Sequence, residues 1–349
     1  MNVIQTWFKR YLSSQQAVAL ILTLVMLTFL VTQLGDILTP FFVGLIIAYL
    51  LQHPINLLAK KTSYSTASII VFTVFSSLVL TLMIIIMPAI FLQIERLGME
   101  LPHILAQFKA ALIGFAQKYP AILPQETLNK ALGYLQQGSE VASQEILKIC
   151  IKMIPSALSF AVGIVLIPLI VFFLNKDKDY LISVVASVYP KKRDNLVLIV
   201  NEINEQIGNY IRGKVVQMCI VTILCGIVFK YFALKYALLF AFSMGVSVFI
   251  PYVGAVLATA VFLIVAYGQF GLTTTLWQII IAFSVVQVLD ANILVPIIFS
   301  EAVSLHPIFI IIAIIFFGGI GGVLGVFFAI PLASMIKAFI IYWPVEEQR

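Results

Sequence analysis

Long apolar stretches without charge alternate along the chain with short polar connections. The uncharged runs cover about 17–34, 37–51, 67–92, 154–174, 215–229, 236–267, 276–299 and 307–336. They approach or exceed the roughly 20 residues that a helix needs to cross a bilayer. Only helices and closed barrels satisfy every backbone polar group in lipid, and a barrel would show short alternating segments instead. The pattern therefore predicts an all-α polytopic membrane protein of about eight transmembrane helices. The first run follows Lys9 and Arg10. It is longer than a signal-peptide core, lacks a small-x-small cleavage site and is followed almost at once by a second run, so we read it as a retained helix.

Two connections carry a helical period of their own. In 93–153, Leu101, Ile104, Leu105, Phe108, Leu112 and Phe115 recur at helical spacing, and Pro102, Pro120 and Pro124 punctuate the segment. This predicts an amphipathic helical insert, with a substrate-receiving domain as the sharper alternative. Around 194–214, Leu196, Ile199, Val200, Ile203, Ile207 and Tyr210 share one face, which should lie at the interface or against helix ends. The chain so divides into helices 1–3 (1–92), an extracytoplasmic insert (93–153), helix 4 (154–174), a cytoplasmic amphipathic segment (175–214) and a C-terminal core (215–349).

Composition reinforces this picture. Apolar residues make up 62%, charged residues 10%, and mean hydropathy is +1.10, where soluble proteins carry about 25% charge. The net charge of +6 would suggest nucleic acid in a soluble domain. Here the basic residues sit mostly in short connections and set topology instead. Lys9 and Arg10 precede the first run, and Lys60 and Lys61 lie in the second connection. Lys176, Lys178, Lys191, Lys192, Arg193, Arg212 and Lys214 fill the fourth, whereas the connection at 35–36 has none and the fifth only Lys230 and Lys235. This asymmetry places both termini and 175–214 in the cytoplasm. Cys150, Cys219 and Cys225, like His53, His103 and His306, show no metal-ligand or redox spacing, so neither metal nor cofactor is expected.

Chemistry concentrates in VVQVLDANILVPIIF, residues 285–299. Asp290 is the only ionisable Asp, Glu, Lys, Arg or His between Lys235 and Glu301. An ionised Asp at the bilayer centre costs about 2.5–3.5 kcal/mol even on permissive scales, so it must face a bundle interior or a wet cavity. Gln287 lies one turn earlier on the same face. Asn292 lies about 200° around an ideal helix and joins that face only where the helix opens. Two roles stay open for Asp290: a structural hydrogen bond near a helix end, or direct handling of a solute or proton.

Prolines supply the second feature, because each frees the carbonyl four residues earlier. Pro251 would free Ser247, Pro296 would free Asn292, and Pro331 would free Phe327. GVSVFIPYVGAV at 245–256 also aligns without gaps to GVFFAIPLASMI at 325–336. Chance likeness between apolar segments explains this as well as paired Pro-interrupted helices do. The 236–267 and 307–343 segments each fit one long span or a hairpin of short halves. The first is expected to break around Pro251. In the second, Gly318, Gly319, Gly321, Gly322 and Gly325 permit close packing or a sharp hinge, and Pro331 is the candidate break. Lys337 can snorkel to the interface.

Three pieces together resemble the autoinducer-2 exporter family of bacterial permeases: YIRGKVVQ at 210–217, FIPYVGA at 249–255, and DANILVP…LHP…FFGGIGGVLGVFFAIPLAS from 290 to 334. The first corresponds to the family's arginine-glycine segment (Arg212, Gly213, Gln217). The second matches its Ile-Pro-aromatic-x-Gly turn (Pro251, Tyr252, Gly254), with Ala255 where many members have proline. The resemblance implies secondary transport across the bacterial inner membrane, of autoinducer-2 in some members and of sodium or lithium against protons in others. It also allows homo-oligomers. No GxxxxGK[ST] loop for ATP occurs, and no catalytic dyad suggests an enzyme.

An exporter of a small polar solute would line its gate with Ser247, Pro251, Tyr252, Gly254, Pro296 and Pro331, and contact the solute through Gln287, Asp290 and Asn292. An antiporter would exchange a monovalent cation for a proton at Asp290. A membrane scaffold would use the glycines for packing alone. One buried carboxylate is few for an antiporter, which favours the exporter. Topology is directly testable. Cysteines placed at 176–193 should react only from the cytoplasmic side and those at 110–130 only from outside; the reverse pattern inverts the orientation.

Overall fold

The computed structural model describes residues 15–121, 124–130, 132–134, 136, 156–188, 194–299 and 305–341. Cys150, the end of the 93–153 insert, Lys9, Arg10 and the basic residues at 191–193 lie outside that set. The helices are α1 (Gln15–Ala59), α2 (Tyr64–Lys118), α3 (Ser156–Lys176), α4 (Lys178–Val188), α5 (Asp194–Tyr231), α6 (Ala237–Ser247), α7 (Val253–Phe270), α8 (Thr274–Leu289), a π-helical turn (Asp290–Leu294), α9 (Val295–Phe299) and α10 (Pro307–Ile341). Among the described residues there is no strand. Five helices hold stretches long and apolar enough to span a membrane, and shorter apolar helices accompany them. The all-α polytopic class is thereby shown.

The N-terminal part differs from the sequence pattern. α1 runs unbroken through 35–36, where the pattern places a connection, and at 45 residues is about 68 Å long. A single Gly costs a helix only about 1 kcal/mol, and Pro40 and Pro54 are carried inside it. The 35–36 connection therefore drops out of the charge count, and the orientation rests on the later connections. α2 likewise continues for 55 residues, so 93–118 prolongs the helix of the third apolar run.

The chain forms two compact units. The first comprises Met1–Ser76, Gly163–Val215 and Ile297–Arg349 and the second Ser77–Val162 and Val216–Pro296. In the first, Leu51, Ile55, Ala67 and Val171 form a small core between α1, α2 and α3. Gly44 lets α1 approach α3, since a Cβ there would lie 2.6 Å from Ile170 Cγ2. The Ser63 hydroxyl accepts the Thr66 amide (3.2 Å) and starts α2 as an N-cap.

α10 in this unit is a hairpin. Gly322 has φ 55° and ψ −135°, which only glycine adopts without strain. A Cβ on Gly325 would run into the Phe317 carbonyl, and one on Gly318 would lie 2.8 Å from Val326 Cγ2. In a continuous helix those residues would be about 12 Å apart, so the arms fold back on each other. The arms, Ile308–Gly322 and Gly325–Ala338, are each shorter than the ~20 residues of a span.

The second unit is built on a phenylalanine cluster. Phe262 of α7 stacks on Phe229 of α5 (4.8 Å) and meets Phe283 of α8 (4.9 Å) and Phe240 of α6 (6.2 Å). Phe240 and Phe262 are equally far from Pro251 along the chain, yet they touch. α6 and α7 are thus an antiparallel hairpin with its tip at 248–252. At its base, the Gln269 side chain accepts the Lys235 amide (2.6 Å) and donates to the Ala233 carbonyl (2.9 Å).

The C-terminal part of α2 grips that base. Gln93 Oε1 accepts the Leu239 amide (2.9 Å), Glu100 pairs with Lys235 (3.1 Å), and Phe108 meets Tyr267 edge-on (5.6 Å). A Cβ on Gly268 would come within 2.6 Å of Ile104 Cγ2. α6, at 11 residues, rises only about 16 Å, roughly half the hydrocarbon thickness. Single cysteines at Lys235 and Gly271 should therefore react from the same membrane face. Reaction from opposite faces would mean that α6 and α7 cross as one span.

Candidate functional site

α8 ends at Leu289, and the backbone then widens. The Asp290 amide donates to the Gln287 and Val286 carbonyls, while its own carbonyl accepts the Val295 amide five residues on. This π register sits directly before Pro296, whose missing amide disrupts the ordinary ladder. Single π turns inside α-helices often mark functional sites.

The widened turn carries the carboxylate to α5. Gln217 Nε2 donates to both Asp290 oxygens, at 2.9 and 3.0 Å. Gln217 is 3% exposed and Asp290 half-buried, so a fixed amide bridges both oxygens of the acid. The residues proposed from sequence to converge here do not. Asn292 is exposed, and its amide donates back to the Val288 carbonyl (3.0 Å). The π turn leaves it on the far side because widening shifts the angular step without reversing it. Gln287 is half-buried on α8, and the amide that holds the carboxylate is Gln217 instead.

The first hairpin tip and the helix ends that flank it hold four of the proposed gate residues. Pro251 does break the segment. The carbonyl it frees, on Ser247, accepts the Ile250 amide (3.1 Å) through a tightened turn, and the Ser247 hydroxyl donates to Met244 (2.7 Å). That carbonyl is thus already occupied by the backbone. Tyr252 stands at the tip, 65% exposed, with φ 62°, a conformation that costs a bulky residue about 1–3 kcal/mol. Gly254 packs against the Ser247 carbonyl where any Cβ would collide. Gly245 likewise lies against the Thr222 hydroxyl and the Met218 carbonyl of α5.

In the first unit, Pro331 lies inside the second arm of α10, and the break falls at Gly322 instead. Pro331 is tolerated because the carbonyl it frees, Phe327, accepts the Tyr210 hydroxyl of α5 (3.1 Å). Gly213 fits against Ile298 and Phe299, 2.7 and 2.8 Å from an ideal Cβ. Lys214, 8% exposed, lies over the Tyr210 and Phe299 rings at 6.0 and 5.3 Å, and Arg212 donates to Asn209 (2.6 Å). Gly319 faces open space and Gly321 is half-buried. Among the described residues no group of three His, Cys, Asp or Glu side chains could hold a metal.

Comparison with known proteins agrees with this architecture. The model of the AI-2E family transporter matches residues 18–344. The chain belongs to that family. It is 36% identical over 345 residues to PerM of Escherichia coli (strain K12), whose name calls it a permease, covering 99% of this chain and 98% of that protein. It is 24% identical over 337 residues to YueF of Bacillus subtilis (strain 168), whose name calls it a transport protein, covering 92% and 91%. Family membership and the apolar helices together make it a multi-pass membrane transporter.

The residue that sequence reasoning missed is Gln217, placed there only in a cytoplasmic motif. A signal was present: Tyr210, Lys214, Gln217, Val221, Cys225 and Phe229 recur at helical spacing on α5, and all are buried. A polar amide in such a stripe needs a partner. Replacing Gln217 with Leu should destabilise the protein by about 1.5–3 kcal/mol, the usual worth of a hydrogen bond to a charged group. Combining it with Asp290→Leu should recover much of that loss. Thermal unfolding in detergent measures both, and strictly additive losses would show that the two side chains are not energetically paired.

Proposed function

We propose that this transporter exports a small polar solute across the bacterial inner membrane by secondary transport, and that the Asp290–Gln217 pair is the group the solute must open. The observation that carries the reading is the bridge itself: one buried amide holds both oxygens of the lone acid in a 65-residue apolar stretch, Tyr236 to Ser300. Each hydrogen bond to a charged group is worth about 1.5–3 kcal/mol. A solute that offers O–H or N–H donors of its own can offset their loss, whereas an apolar analogue would leave the carboxylate unmatched. A hydroxylated furanone of the autoinducer-2 type has that chemistry.

One buried carboxylate is few for an antiporter, so the pair favours contact with a solute over ion exchange. The hairpin tip adjoining α5 through Gly245 supplies a second element of the gate, with the strained Tyr252 exposed at its end. In the proposed orientation, with 175–214 cytoplasmic, the base of this hairpin faces outward and its tip points into the membrane.

The test uses purified protein in proteoliposomes under imposed pH and sodium gradients, with flux of a labelled hydroxylated furanone and of small polyols as readout. Asp290→Asn keeps the shape and one acceptor. It should insert at the wild-type level and lose transport at least about tenfold, equivalent to ~1.4 kcal/mol. Asn292→Ala should transport near the wild-type rate, because its amide is engaged with Val288. Transport by Asp290→Asn at the wild-type rate, with unchanged pH dependence, would place the solute site elsewhere. Gradient-driven sodium flux with no solute flux would favour the antiporter.

A further inference from the structure

The arms of α10 do not close on each other along their whole length. Between them lies a cavity of about 590 Å³, within the 300–1,000 Å³ range of small-molecule sites. Its walls are apolar, with Phe309, Ile312, Ala313 and Phe316 on one arm and Ala333 and Ile336 on the other. Phe309, Ile312 and Phe316 are about half exposed or more, so the cavity opens sideways, towards hydrocarbon in a membrane. The distance from Phe316 to His306 along the arm is about 15 Å, close to the hydrocarbon depth of one leaflet.

The polarity is confined to one end. His306 and Lys337 line the base of the cavity, on opposite arms and away from the Gly322 turn. The Ile308 amide donates to His306 Nδ1 (3.3 Å), so the ring proton sits on Nε2 and is available as a donor. A long apolar slot with an ammonium and an imidazole N–H at its end matches an anionic amphiphile. A neutral apolar guest would leave the basic end unused. A free anion would not fill the slot.

We propose that the α10 hairpin is a binding site for an anionic phospholipid, with one acyl chain between the arms and the phosphate at His306 and Lys337. The bilayer itself supplies this ligand, and its sideways entry requires no route through the protein. The site shares no residue with the Asp290–Gln217 pair and does not rest on the identity of the transported solute. A bound chain would fill the space between two arms that are each too short to span the membrane.

The test is native mass spectrometry of the full-length protein in detergent, titrated with phosphatidylglycerol or with phosphatidylcholine of the same acyl chains. Wild-type protein should hold phosphatidylglycerol at least about tenfold more tightly. The double variant His306→Gln and Lys337→Gln should bind both lipids alike. Ala333→Phe should block both by filling the slot, and Ala313→Leu on the opposite arm serves if that variant fails to fold. Equal binding of the two lipids by the wild type overturns the proposal. So does a preference that survives the His306/Lys337 change, or tighter retention of palmitate than of either phospholipid.

Discussion

A backbone carbonyl that loses its amide partner has no water to turn to inside a bilayer. Three prolines of the C-terminal core, Pro251, Pro296 and Pro331, each create that problem, and the local structure follows from how each is answered. At Pro251 the chain tightens, so Ile250 takes the Ser247 carbonyl and the helix ends in a turn. At Pro331 the Tyr210 hydroxyl reaches the Phe327 carbonyl, and the arm continues. Before Pro296 the helix widens into a π turn, and that widening aims Asp290 at Gln217. One chemical deficit thus yields a break, a continuous arm and a π bulge.

The same logic explains which features were legible in the sequence. Apolar runs and their helical character follow from composition, because lipid permits little else. The break at Pro251 was visible because a proline and a following glycine coincide with a stretch too long for one span. Pro331 looked equivalent, but its rescue comes from Tyr210, 117 residues away, and nothing local announces it. The turn moved to Gly322, one of several glycines whose backbone angles sequence alone does not reveal. α1 kept its course through Gly35 and Asp36 because neither residue forbids a helix.

Within the candidate site, the acid was legible and its partner was not. Asp290 is conspicuous as a lone charge, whereas Gln217 is one amide among several and lies 73 residues away. Finding it requires knowing which face of α5 meets α8. Asn292 and Gln287 were attractive because they are near in sequence, yet on a helix the neighbour in sequence is seldom the neighbour in space. The Lys214 ammonium illustrates the same point: its aromatic surroundings come from Tyr210 on its own helix and Phe299 on another.

The start of α6 has no side-chain cap of its own: Tyr236 precedes it in a left-handed conformation, and the Leu239 amide is satisfied by Gln93 of α2. An orphan helix end normally belongs to its own segment; here it is on loan from a neighbour. With Glu100, Ile104 and Phe108 fastening the same end, the base of the hairpin is anchored by α2. The turn at 248–252 carries the backbone strain of Tyr252, and Gly254 follows it against the Ser247 carbonyl. Whatever shifts residues 93–108 of α2 therefore shifts the base of the hairpin with them.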